Sequence, residues 1–290
     1  SQKEQRPFFF MKIAFTSDIH ADVSPENERV PEIQSPILLK ESPDIFIVCG
    51  DVSADRRHFE KALQKYADLT CPKLIVAGNH DLWVEDEEEN SIEKYRYTLP
   101  RLAKENGFIY IGFEPYVIGN VAFVGTCSWY DYSFRNEGLD KEIPDKAYKA
   151  KKFGGRRWMD AVYCNWSSME DAEVAGIMNE SLRRQIAKVE DAVDHIVVVL
   201  HHVPFRELLT YKNDPSWDFL NAFTGNSRTA EIIRSSPKVG LVLYGHTHER
   251  KEQAVGGILA VTHSVGYEWE WAERGMDPGD SVRFLIFGWK

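Results

Sequence analysis

Residues 12–20 read KIAFTSDIH, residues 44–51 read DIFIVCGD and residues 73–81 read KLIVAGNHD. Each opens on a short run of aliphatic, aromatic and β-branched residues and ends in a polar cluster, the pattern of a strand that runs into a loop. Between the second and third, Asp55 to Leu69 sets Phe59, Leu63, Tyr66 and Ala67 at helical spacing, with Asp55 near its start. Strand, helix, strand predicts an α/β fold with parallel strands joined through helices.

The alternation continues outward. Ile92 to Asn106 reads as a helix ended by Gly107, followed by a strand over Phe108 to Ile111 and a hairpin around Gly119-Asn120 that returns along Val121 to Thr126. Met169 to Val189 is helical in period, and His195 to Leu200 (HIVVVL) has the unbroken apolar character of a strand covered on both faces. Ser227 to Ser235 makes a short helix before strands at Val239 to Tyr244, Ile258 to Thr262 and Ser281 to Phe287, the last two joined by a loop containing Gly and Trp. From Cys127 to about Trp166 the composition turns to aromatics and charges with little periodicity, which predicts an inserted loop or cap. Chemical motifs lie at both ends of the sequence and must converge, so a single domain over 11–290 with an aromatic-rich insertion at about 127–166 is expected. Residues 1–10, upstream of Met11, are set aside as an N-terminal extension.

The 290 residues are 43% hydrophobic and 28% charged, which excludes whole-chain disorder and fibrous repeats. Thirty-five Lys and Arg against forty-five Asp and Glu give a net charge of -10, with no basic block to track a phosphate backbone. Nucleic acid is therefore a disfavoured partner. A phosphorylated small molecule stays open, because bound divalent cations would make a local site positive in an acidic protein. Cys49, Cys71, Cys127 and Cys164 form neither close pairs nor Cys-Xaa-Xaa-Cys, and are expected to be reduced thiols. No apolar run approaches the roughly 18 residues of a membrane span. Phe8-Phe9-Phe10-Met11 is interrupted by Lys12 with no small-residue cleavage site after it, so no export signal and a cytoplasmic location are expected.

The polar clusters carry the chemistry. Asp18 and His20 follow the first strand, Asp51 the second and Asn79-His80-Asp81 the third; His201-His202 follow HIVVVL, and His246 and His248 follow LVLYG as GHTH. In open α/β sheets the loops at the carboxyl ends of strands meet over one rim. Taken singly, Asp-Xaa-His and Gly-Asp are common turn sequences and Asn-His-Asp is a serviceable helix cap. Jointly they are more than that, because six of the nine histidines fall at these positions. His58, inside the Asp55–Leu69 helix, and His195, opening a strand, fall outside the set, while His263 follows a strand and is undecided. Seven donors, Asp18, His20, Asp51, Asn79, His201 or His202, His246 and His248, without cysteine suit borderline-hard divalent metals such as Mn²⁺, Fe²⁺ or Zn²⁺. Structural zinc needs four ligands, so the number argues for two ions sharing a carboxylate, the clamp used for in-line displacement at phosphorus.

DIH, GD, GNHD, a His pair after an apolar strand and GHTH, in this order over about residues 12–250, resemble the calcineurin-like metallophosphoesterase superfamily. The resemblance implies a four-layer sandwich, two mixed β-sheets packed face to face and flanked by helices. It also implies a cofactor of two divalent metal ions and hydrolysis of a phosphomonoester or phosphodiester by in-line attack of a metal-bridging hydroxide. Carried over by motif, Asp18, His20 and His248 hold the first metal, Asp51 bridges, and Asn79, His246 and one of the His pair complete the second. Position at the strand end favours His201 and the His-Xaa-Pro spacing to Pro204 favours His202; the reading adopted is His201 as ligand with His202 near the phosphate. His80 corresponds to the catalytic histidine, protonating the leaving oxygen or holding the phosphoryl group, and Asp81 is expected to orient and charge its ring.

Within the insertion, Trp129, Tyr130, Tyr132, Phe153, Trp158, Tyr163 and Trp166 are available either as an aromatic wall for an organic group or as packing onto the core. Arg135, Arg156 and Arg157 are available to meet phosphate charge, and Trp217, Phe219 and Phe223 raise the same two possibilities. The partner expected is a small phosphorylated substrate. The competing reading, a catalytically silent binding or scaffold protein on the same fold, predicts gaps in the ligand set, and none is present.

Overall fold

The protein is described by a computed structural model over residues 9–84 and 90–289. The N-terminal strands follow the sequence closely: β1 is Phe9–Thr16, β2 Ile45–Val48, β3 Lys73–Ile75 and β4 Ile109–Tyr110. The hairpin strands β5, Tyr116–Ile118, and β6, Val121–Thr126, turn at Gly119 as expected. A two-residue hairpin, β7 (Lys152–Phe153) and β8 (Arg156–Arg157), lies inside the insertion. Then come β9 (His195–Leu200), β10 (Val239–Tyr244), β11 (Arg250–Val255), β12 (Ile258–His263) and β13 (Arg283–Trp289).

These strands make two mixed sheets, in the orders β13-β1-β2-β3-β4 and β11-β12-β10-β9-β6-β5. β1, β2, β3 and β4 run parallel, as do β6, β9, β10 and β12, while β13, β11 and β5 add antiparallel edges. Alternation along the strands divides the apolar residues into layers. Ile13, Phe15, Ile45 and Ile47 of the first sheet meet Phe123, Val197, Val199 and Leu243 of the second. On the outer faces, Ala14, Phe46 and Val48 pack with Leu38, Phe59 and Leu63 from helices, and Val124, Val198 and Val242 pack with Leu182, Ile186 and Ile233. Helix, sheet, sheet, helix is the four-layer sandwich.

Several elements differ from the sequence reading, among them β11, which it did not anticipate, and β13, which it set two residues earlier. Residues 1–8 of the extension lie outside the described residues, but Phe9 and Phe10 belong to β1 and pair with Trp289 and Gly288 of β13. The edge strand β13 thus offers backbone partners to the last two residues of that extension. The stretch read as a loop between β12 and β13 contains the helix Glu268–Arg274, which buries none of its residues and so shows no apolar stripe. The helix Val30–Glu41 was likewise hidden, by Pro31 in its first turn and Pro36 inside it. All four cysteines are free. No helix among the described residues is long and apolar enough to cross a membrane.

Candidate metal centre

The loops after β1 and β2 run side by side. Asp18 N–H donates to the Gly50 carbonyl, His20 N–H to that of Asp51 and Ala21 N–H to that of Val52, so the parallel pairing continues past the strands and brings the two carboxylates together. Close approach explains the flanking glycines: a Cβ on Gly78 would lie 2.1 Å from Asp51 Oδ1, and one on Gly245 2.7 Å from Asp18 Oδ2. Asp18, His20, Asp51, His246 and His248 all adopt positive φ, between 50° and 74°. Left-handed backbone on five non-glycine residues is costly and persists only where the surroundings impose it, as they do at functional sites.

Asp18, His20, Asp51, Asn79, His201, His246 and His248 meet in one cluster at the carboxyl ends of β1, β2, β3, β9 and β10. His20 Nε2 is 3.0 Å from His248 Nε2 and 3.7 Å from Asp51 Oδ2. His201 Nε2 lies 3.0 Å from Asn79 Oδ1 and 3.3 Å from Asp51 Oδ2, and His246 Nδ1 lies 3.1 Å from the same Asn79 oxygen. Asp18, His20 and His248 form one candidate group for an ion, and Asp18, Asp51 and His201 another.

The hydrogen bonds behind these atoms decide what they can face. His201 gives its Nδ1 proton to the Cys49 carbonyl at 2.9 Å, which in the neutral ring leaves Nε2 a lone pair. Asn79 gives its amide N–H to Asp160 at 2.9 Å, which turns Oδ1 inward. His248 Nδ1 is 2.6 Å from Glu270 Oε2, so its Nε2 is also an acceptor. Ser17 and Ser264 hydroxyls each donate to Asp18 Oδ2 at 2.6 Å, and His246 N–H donates to Oδ1 at 3.0 Å. Asn79 Oδ1, His201 Nε2 and Asp51 Oδ2 thus point lone pairs at one another. A buried acceptor without a donor costs about 1–3 kcal/mol, so such a set is stable only around protons or cations. Among the described residues His20 Nδ1 and His246 Nε2 are buried without partners as well. The donor set fits divalent metals.

The protonation tendencies point the same way. Burial works against a charged His201, yet Asp51 lifts it to about 9. Burial likewise opposes His248, and Glu270 and Asp18 outweigh it and raise it. Burial pushes His20 and His246 far below the usual histidine range, helped by His80 at the first and by His202 and His201 at the second. The buried carboxylates draw positive charge onto two neighbours, the charge a cation would supply instead.

His80 stands at the open side. Its backbone N–H donates to Asp51 Oδ1 at 2.8 Å, its ring stacks on Trp83 at 3.7 Å, and its Nε2 is 3.4 Å from the Tyr267 hydroxyl. Asp81 does not support that ring, contrary to expectation. Its two oxygens accept four backbone N–H groups, from Gly78, Asp51, Val52 and Ser53, at 2.8–2.9 Å. The short helix after Asn79 turns the Asp81 side chain inward, where it pins the β2 and β3 loops together. Burial and the nearby Asp51 push Asp81 up, and the amide donors oppose that.

His202, expected near the phosphate, lies buried beside His201. The ring has no exposed surface, its Nδ1 is 3.0 Å from the Cys127 carbonyl, and it lies against the rings of His246, Trp129 and Tyr130. Its partner in the pair, His201, is the one directed at Asn79 and Asp51. His263 is outside the cluster, with Nε2 on the Asp280 carbonyl. His58 bonds Asp55 on the surface of its helix.

Residues at the site that the sequence reading missed include Asp160, Tyr267 and Glu270, as well as Ser17, Ser264 and Trp83. In the insertion, Trp129, Tyr130 and Trp166 are buried, and the partly exposed Tyr132 and Phe153 pack against the same core. Trp158 stacks on Phe223, and Tyr163 stacks on Trp83. Arg135 is occupied by Asp140 and Asp145, while Arg156 and Arg157 are exposed on β8. Trp217 is exposed and Phe219 and Phe223 are buried.

A two-sheet sandwich with Asp, Asn and His gathered over the ends of its parallel strands defines a metallophosphoesterase. The profile described as calcineurin-like phosphoesterase matches residues 11–250, and the chain belongs to that family. Among solved structures it resembles phosphopantetheinyl hydrolase (PptH) from Mycobacterium tuberculosis, at 22% identity and a TM-score of 0.72 over 94% of this chain and 95% of that one. It also resembles the protein TT1561 of Thermus thermophilus, at 14% identity and a TM-score of 0.53 over 88% and 90%. Both are likenesses of fold. Comparison with curated proteins gives no match.

Proposed function

We propose that the protein is a metal-dependent phosphohydrolase that cleaves a small phosphomonoester or phosphodiester at a centre of two divalent cations, Mn²⁺, Fe²⁺ or Zn²⁺. The supporting observation is the inward lone pairs of Asn79, His201 and Asp51, each fixed by a donor bond on its far side or by the loop that carries it. Asp18, His20 and His248 would hold one cation, Asn79, His201 and His246 the other, and Asp51 both. Such a pair would supply Lewis acidity toward phosphoryl oxygens and would acidify water for attack at phosphorus.

The chain's own groups do the rest. Ser17 and Ser264 fix the Asp18 carboxylate, and Glu270 sets the His248 tautomer. His80, held by Asp51 and by the face of Trp83, is the group placed to hold the phosphoryl oxygens or to give a proton to the leaving oxygen. Tyr267 steadies that ring from the other side. The organisation proposed is one domain to residue 290 with the segment 127–166 as an insertion. Family membership and the likeness to a structure whose name is a phosphopantetheinyl hydrolase support a phosphoester on an organic group. The net charge of -10 disfavours nucleic acid.

The test is hydrolysis of p-nitrophenyl phosphate and bis-p-nitrophenyl phosphate by metal-stripped protein before and after addition of Mn²⁺, beside Asp51→Asn and His80→Ala. Turnover restored by metal and lost in both variants is the expected result, and the preferred probe separates monoester from diester chemistry. Two bound ions without turnover on any phosphoester would instead support the silent binding protein.

A further inference from the structure

Asp160 lies in the insertion, within an otherwise aperiodic run of aromatics, and is buried. Its Oδ1 accepts Asn79 Nδ2 at 2.9 Å and Trp83 Nε1 at 2.7 Å, and its Oδ2 accepts the Tyr130 hydroxyl at 3.0 Å and Trp158 Nε1 at 2.7 Å. Four donors on one carboxylate leave little of its acceptor capacity free. Three of those donors are aromatic side chains and hold the carboxylate in place. The fourth is the amide of Asn79, whose two ends differ in consequence: with its NH₂ on Asp160 its oxygen faces His201 and His246, and with the amide turned over a donor faces them instead.

We propose that Asp160 is the positioning residue that loads the second cation site, by fixing the Asn79 amide with its oxygen inward. The proposal rests on the metal-centre reading above. The same carboxylate holds Trp83, the ring beneath His80, so the insertion reaches both the second cation site and the catalytic histidine. This gives the insertion a task that does not depend on substrate: without its carboxylate the second site loses its oxygen donor, while the Asp18, His20 and His248 group keeps all its contacts.

The experiment is equilibrium Mn²⁺ binding to the metal-stripped full chain, read as stoichiometry and as two dissociation constants, for wild type, Asp160→Ala, Asp160→Asn and Tyr130→Phe. Thermal melting identifies the variants that fold. In Asp160→Ala one of the two ions is expected to lose about 10–100-fold in affinity, the scale of lost outer-layer support, with the other ion within twofold of wild type. Asp160→Asn keeps one oxygen of lower acceptor strength and is expected to cost that ion about fivefold. Tyr130→Phe removes a donor from Asp160 without touching Asn79 and leaves both constants unchanged. Equal weakening of both ions, unchanged binding in Asp160→Asn, or a Tyr130→Phe loss as large as that of Asp160→Ala overturns the proposal. If Asp160→Ala does not fold, Asp160→Asn and Tyr130→Phe decide it. A wild type that takes fewer than two ions overturns the metal-centre reading, whereas two ions in wild type with any of those three results overturns this proposal alone.

Discussion

The two halves of the site follow one rule but draw on different parts of the chain for support. In the first half Asp18 and His248 are backed by Ser264 and Glu270, which come after β12. In the second His201 and Asn79 are backed by the Cys49 carbonyl and by Asp160 of the insertion. In both, the far side of a ligand is tied by a hydrogen bond so that the near side presents a lone pair. Strand ends supply the ligands and remote segments aim them. Each half is therefore open to damage from its own supporting segment, while Asp51 is common to both.

The strongest challenge to this division is Asp51→Asn. Its Oδ2 lies within 3.7 Å of both His20 and His201, so its charge serves the two halves at once. The variant is expected to lower p-nitrophenyl ester turnover more than about a hundredfold, the scale of one lost electrostatic stabiliser. It should also weaken both Mn²⁺ ions, measured by metal analysis after dialysis. Loss of only one ion would assign Asp51 to one half and break the symmetry of the comparison.

Glu270→Gln is next in size and should act on one side only. The carboxylate holds His248 Nδ1 at 2.6 Å and is itself paired with Arg274 at 2.9 Å. A neutral amide removes the charge that favours the Nδ1–H tautomer, and affinity for the ion at Asp18, His20 and His248 is expected to fall about tenfold. Binding at Asn79 and His201 should stay as in wild type. Together with Asp160→Ala this makes a reciprocal pair, each variant unloading a different ion.

The contrast between ligands and supports also marks what was legible in the sequence. The ligands announce themselves because each follows an apolar strand, and strand periodicity is a local property that a chain carries on its face. β9, β10 and the helix Ser227–Ser235 were placed to the residue for the same reason. Supports have no such signal. Asp160 sits among aromatics without period, and Glu270 lies on a helix that buries none of its residues, so neither stands in a pattern. Asp81 misled in the opposite way: its adjacency to His80 suggested a pair, but a short helical turn sends neighbouring side chains apart, and four amides claim its oxygens. Chain neighbours say little about side-chain partners outside a regular element.

Tyr267→Phe probes the open side of the first half. The hydroxyl is 3.4 Å from His80 Nε2, a long contact, and the ring packs on His20 at 4.6 Å whether or not the hydroxyl is present. Removing one neutral hydrogen bond is worth about 0.5–1.5 kcal/mol, so kcat is expected to fall about 2–10-fold with Mn²⁺ stoichiometry unchanged. A larger loss would place Tyr267 in direct contact with substrate rather than behind His80.

The smallest effect separates aiming from holding. Ser264 gives Asp18 one of several donors, and Ser17 and the His246 N–H remain when it is removed. Ser264→Ala is therefore expected to lower stability by about 1 kcal/mol, seen as a fall of about 2–4 °C in melting temperature for a chain of this size, with little change in Mn²⁺ affinity. The reason is redundancy: Asp18 is held from three directions, whereas Asn79 is aimed by Asp160 alone among its hydrogen bonds to the insertion. If Ser264→Ala instead unloads its ion as severely as Glu270→Gln does, then each single support is indispensable, and the first half is as finely balanced as the second.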